Sequence, residues 1–91
     1  MSEELTSWYV YILRCADDSL YTGVTTDTAR RLNEHNFDDR LGAKYTRPRR
    51  PVNLVFQEAC ANRSAACKRE AEIKKMSRLA KLKLLQLGGN Q

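Results

Sequence analysis

WYVYILRCADDSLYTGV, at residues 8–24, is two aromatic and β-branched runs around an acidic turn. Such runs favour strands. Residues 8–14 form the first, with Trp8, Val10 and Ile12 on one face and Tyr9, Tyr11 and Leu13 on the other. The ADDS segment is a turn, and residues 19–24 return as a second strand on which Tyr21 shares a face with Ser19 and Gly23. A glycine in a strand permits close approach by another group. The step from Tyr11 to Tyr21 carries a condition. A two-residue turn at Asp17-Asp18 would pair Ala16 with Ser19 and send the two phenols to opposite faces. An odd loop or a bulge brings them to one face.

Outward from the hairpin, TTDTARRLNEHN opens with helix-capping residues, so Thr26 or Asp27 caps a helix over about 28–36. Residues 37–51 hold Gly42, Pro48 and Pro51 and read as a loop, mobile at FDDRLG. VNLVFQE at 52–58 is a third strand, with Val52, Leu54 and Phe56 on one side and Asn53, Val55 and Gln57 on the other. Asn62 or Ser64 caps a helix to about 75, and a last helix over about 77–88 stops at Gly88-Gly89. The order β-β-α-β-α-α predicts an α+β fold, a three-stranded antiparallel sheet flanked by three helices. At 91 residues one domain spanning 1–91 is expected.

Charge is unevenly placed. The total is +5, but residues 1–39 carry three arginines and eight acids, whereas residues 40–91 carry thirteen bases and three acids. A one-sided positive field suits a phosphate backbone. Within the loop, Lys44, Arg47, Arg49 and Arg50 can track such a backbone, while Tyr45 stacks on a base or packs on the sheet. The lysines and arginines from Lys68 to Lys83 read as a solvated face. Cys15, Cys60 and Cys67 lack paired spacing, and with one histidine they exclude a structural zinc site. Reduced thiols, an acidic N-terminus unlike a signal peptide and no membrane-length apolar run point to the cytoplasm, with no membrane partner.

Helical periodicity isolates one acid. Ala66, Cys67 and Ile73 form the apolar stripe of the second helix, and Glu70 projects into it while Glu72 faces away. An inward carboxylate requires an ion pair, hydrogen bonds or a metal. Arg31 and His35, four apart, share one helical face at the edge of the Ala29/Leu32 stripe. They suit either a helix-end pair or a phosphate grip.

Taken together, YVY at 9–11, YTG at 21–23, Arg31, His35 and the ACKREAEIKK helix resemble the GIY-YIG nuclease superfamily, in its small single-domain bacterial branch. The likeness covers about residues 7–76. It implies the same sheet-and-helix fold and a metal-dependent endonuclease acting on DNA, with structural rather than sequence preference and a place in repair or recombination. Carried over, Tyr11 and Tyr21 shape the site and position or activate water, Arg31 steadies the scissile phosphate, and His35 lies near the attacking oxygen. Glu70 holds one Mg²⁺ or Mn²⁺. No organic cofactor is implied, and the protein is expected as a monomer or as part of a larger assembly. A nucleic-acid-binding module or interaction subunit without hydrolysis is the alternative on the same fold. Tyr9 replaces the family's leading glycine, and Val24 stands where several relatives carry a lysine.

Overall fold

The computed structural model describes residues 7–88. Strands β1 (Trp8–Arg14) and β2 (Leu20–Thr25) are followed by helix α1 (Thr28–Phe37), strand β3 (Asn53–Cys60) and helices α2 (Arg63–Lys74) and α3 (Arg78–Gly88). The sheet order is β2-β1-β3 with both pairings antiparallel, which is the α+β arrangement read from the sequence. Gly89, part of the expected helix stop, lies outside the described residues.

The hairpin loop is odd. Arg14 pairs with Leu20, leaving five residues, Cys15–Ser19, between the strands. Cys15 N donates to Ser19 O at 2.8 Å, and Asp17 Oδ1 accepts from the Ser19 amide and hydroxyl. Asp18 takes the left-handed turn position at φ 72°, which a short polar side chain tolerates. In consequence Tyr21 opposes Leu13 and Tyr11 opposes Gly23, so both phenols occupy one face.

β3 departs from the alternation that its sequence suggests. Ile12 faces Phe56, yet Leu13 faces Leu54, so Val55 is an extra residue in the ladder. This bulge sends Leu54 and Phe56 to opposite faces. Phe56 joins Val10, Ile12 and Ile73 in a core packed by Leu84 and Leu85 of α3. Leu54 joins Val52, Tyr11, Leu13 and Cys15 beneath Leu32 of α1. The sheet is therefore covered on both faces, by α2 and α3 on one and by α1 on the other.

Asp27 caps α1 by accepting from the Arg30 amide, and Asn62 caps α2 by accepting from the Ala65 amide. The segment after α1, expected to be a mobile loop, is cinched. Asp38 Oδ1 accepts from the amides of Arg40 and Leu41, and residues Arg47–Arg49 form a 3-10 turn. Arg50 closes it with bonds to His35 O, Asp38 O and Asp39 Oδ1. No helix among the described residues is long and apolar enough to cross a membrane.

Candidate active site

Tyr11 stands on the central strand, 2% exposed, over the bare backbone of Gly23. A β-carbon at Gly23 would stand 2.5 Å from the phenolic oxygen, so the glycine makes room for the ring. Helix α1 delivers His35 to the same place. Its side chain is wholly buried, with Nε2 2.9 Å from the Tyr11 hydroxyl and Nδ1 2.9 Å from Thr46 Oγ1. The proton order can be worked out from Thr46, whose hydroxyl donates to Ala43 O at 3.0 Å. Having one proton, it must accept from His35. Nδ1 thus carries the imidazole proton, and Nε2 is left to accept from Tyr11 O–H.

Burial, reinforced by the Arg31 guanidinium, pushes the His35 pKa down to about 4. The ring is neutral at physiological pH. Burial also pushes the Tyr11 phenol up to about 12, against the pull of Arg31, with smaller upward contributions from Tyr21 and Glu70. Arg31, one turn before His35, donates from Nη1 to Glu34 Oε1 at 2.8 Å and to Leu41 O at 2.6 Å. Glu34 also pairs with Arg30 at 3.4 Å, so it bridges two arginines.

Tyr21 packs its ring edge-on to His35 at 5.2 Å and stacks on Tyr45 at 5.9 Å. Arg49 lies 3.9 Å over the Tyr45 ring and pairs with Asp17 of the hairpin loop. Tyr45 thus packs on the sheet's own tyrosine while staying 39% exposed. Arg47 donates to Asp39 O and remains exposed, as does Lys44. Arg50 is put to a different use from the backbone contact foreseen for it, since its guanidinium is bonded to the end of α1 and the turn after it.

Glu70 comes from α2, in the opposite layer. Its side chain is 22% exposed, and Oε2 lies 3.1 Å from Lys74 Nζ. The apolar stripe therefore does place it partly inside, with an ion pair compensating the charge. Among the described residues no cluster of three or more His, Cys, Asp or Glu could cage a metal. A lone half-buried carboxylate fits a divalent ion that keeps most of its waters.

The structure thus gathers Tyr11, Tyr21, Arg31 and His35 around one buried bond, with Glu70 near enough for its charge to act on Tyr11. Two residues escape sequence reasoning. Thr46 orients His35 from eleven positions away, where no periodicity connects them. Lys74, assigned to a solvated face, neutralises Glu70; their i,i+4 spacing was the available signal.

Comparison with known proteins shows the family and the fold. Residues 7–83 match the family described as the GIY-YIG catalytic domain. The UPF0213 protein DP2720 of Desulfotalea psychrophila is 54% identical over 80 residues, 88% of this chain and 72% of that one. The UPF0213 protein of Syntrophus aciditrophicus is 55% identical over 78 residues, 86% of this chain and 88% of that one. The solution NMR structure of the UPF0213 protein BH0048 from Bacillus halodurans superposes with a TM-score of 0.59 at 46% identity, covering 91% of this chain and 86% of that one. The E. faecalis protein EF2693 superposes with a TM-score of 0.61 at 47% identity, covering 89% and 84%.

Proposed function

This chain belongs to the GIY-YIG family, and from that premise we propose that it hydrolyses phosphodiester bonds within DNA with one divalent ion, Mg²⁺ or Mn²⁺. The observation that carries the reading is the buried bond from Tyr11 O–H to His35 Nε2 at 2.9 Å. A phenol with a pKa of about 12 is a poor base when it must ionise first. Next to a neutral imidazole it need not. The Tyr11 oxygen takes a proton from an attacking water as its own proton passes to His35 Nε2. The water oxygen bonds phosphorus, the bond from phosphorus to the departing strand's oxygen breaks, and that oxygen takes a proton from solvent. Protonating an imidazole of pKa about 4 at pH 7 costs roughly 4 kcal/mol, which the negative charge of a bound phosphate lowers. Arg31, held by Glu34 and Leu41 O, supplies a preorganised positive charge for the phosphoryl oxygens. Tyr21 holds the His35 ring from the side.

Glu70 is the residue to hold the metal, which when bound supplies Lewis acidity and charge neutralisation at the phosphate. The exposed Lys44 and Arg47, with Arg49 on Tyr45, offer charges and ring faces. Such groups read backbone and shape rather than base edges, in keeping with a structural preference and a role in repair or recombination. We read the whole chain as one domain acting as a monomer.

One observation favours a second reading, a nucleic-acid-binding module or interaction subunit without hydrolysis. Lys74 already occupies Glu70 Oε2, so the metal must compete for its carboxylate. Incubating the protein with nicked, branched and single-stranded DNA and Mg²⁺ or Mn²⁺, beside Glu70→Ala, separates the two. Metal-dependent cleavage that the variant loses supports the nuclease. Salt-sensitive binding that is equal in both proteins, without cleavage, refutes it in favour of the module.

A further inference from the structure

A cavity of about 240 Å³ opens along the outer edge of the sheet, lined by Leu20, Tyr21, Thr22, Tyr45, Lys74 and Lys81. Leu20, Tyr21 and Thr22 are consecutive on β2, and their side chains alternate between faces. Only at the free edge of the strand can all three line one space, and β2 is an edge strand. The cavity therefore joins the two layers. Tyr21 and Tyr45 reach it from the α1 side, Lys74 and Lys81 from α2 and α3.

Four properties define its ligand. Two ammonium groups line it, and Lys81 is half-buried with no carboxylate paired to it among the described residues. Two phenol rings border it, one of which lies 5.2 Å from the His35 ring. The volume falls below the roughly 300–1,000 Å³ of pockets that enclose a whole small molecule. And Lys74 is shared with Glu70, 3.1 Å away, so the cavity is electrically connected to the candidate metal ligand. Cations, ring faces and a partial enclosure beside a phosphate-handling site suit one segment of an anionic polymer.

We propose that Lys74, Lys81 and Tyr45 form a second subsite at the β2 edge, which grips the phosphate and packs on the sugar or base of the nucleotide flanking the scissile bond. It rests on the phosphodiesterase reading above. Lys74 has two partners in this scheme. It pairs with Glu70 in the free protein and turns to the flanking phosphate when the strand binds, which frees the carboxylate for a divalent ion.

The test is a salt titration of binding to a fluorescein-labelled single-stranded 12-mer, read by anisotropy in EDTA so that nothing is cut. Each lysine that meets a phosphate contributes about 0.7 to the slope of log affinity against log salt on a single strand. Lys81→Gln should flatten the slope by about 0.7, and the double variant Lys74→Gln/Lys81→Gln by up to about 1.4. Between 50 and 200 mM salt, the double variant's loss of affinity should then be about seven-fold smaller than wild type's. Lys74→Arg/Lys81→Arg keeps both charges and should keep the wild-type slope. An unchanged slope in the double variant, while Arg47→Gln/Arg49→Gln flattens it, overturns the subsite and leaves the nucleic-acid reading standing. Wild-type protein that fails to bind at 50 mM salt overturns both.

Discussion

Replacing Thr46 by valine removes one oxygen from a sealed chain of donors. Thr46 and His35 are both wholly buried, so no water can substitute for it. Ala43 O loses a donor but keeps two, the amides of Thr46 and Arg47 at 3.2 Å each. The cost therefore falls on His35 Nδ1–H, left buried without an acceptor. Stranding a buried donor costs about 1–3 kcal/mol. For a domain of this size each kcal/mol moves the melting temperature by roughly 4–8 °C, so a loss near 2 kcal/mol lowers it by about 8–16 °C. The tautomer should also move. With nothing to receive Nδ1–H, the proton shifts to Nε2, which then points at the Tyr11 oxygen and forces its hydroxyl to turn. Thermal unfolding followed by circular dichroism measures the first effect, and nitrogen-15 NMR of the imidazole measures the second. Thr46→Ser keeps the hydroxyl and should behave as wild type in the NMR experiment. A valine variant that melts within 2 °C of wild type and retains protonated Nδ1 would refute the proton order.

Further expectations concern pH, space and the loop. The folded His35 pKa, about 4, lies below its ordinary value of 6.5, so the unfolded chain binds the extra proton first. Stability is then intact above pH 6.5 and falls as pH drops towards 4, by up to about 3 kcal/mol. Urea unfolding at pH 7 and pH 4 should show this loss, and His35→Gln should show less of it. Gly23→Ala drives a methyl into the Tyr11 phenol and should cost about 1–3 kcal/mol, together with most cleavage activity. Urea unfolding beside a nicked-DNA assay checks both, and full activity would mean that the ring position is unimportant. Arg50→Ala should lower stability by about 1–3 kcal/mol while leaving the salt slope of DNA binding unchanged. A flattened slope would return Arg50 to the nucleic-acid interface.

Local pattern made most of the framework legible. Alternation located β1 and β2, and short polar caps located α1 and α2, because these depend on residues a few positions apart. Periodicity likewise turned Glu70 inward and Glu72 outward, with exposures of 22% and 55%. What the pattern could not express was register against a distant partner. The extra residue at Val55 is visible only opposite Ile12 and Leu13, so the even alternation of β3 was misleading. Arg50 gave a charge without a destination, and its partners at His35, Asp38 and Asp39 become evident only once the loop folds back on α1. The same holds for Lys74 and Lys81, whose shared cavity is closed by β2 and Tyr45.

The five-residue loop of the hairpin also limits how this chain can change. Deleting one residue within Cys15–Ser19 leaves two outcomes: a four-residue loop that keeps Arg14 opposite Leu20, or a five-residue loop with β2 slipped by one, which carries Tyr21 to the face packed by Val10 and Ile12. In the slipped register the site comes apart. Tyr45 would lose its stacking partner and His35 its lateral support. A loop that absorbs the change while Arg14 stays opposite Leu20 preserves the facing of every side chain. Among sequences that keep both tyrosines, a change in loop length should therefore be absorbed within the loop and leave Arg14 opposite Leu20.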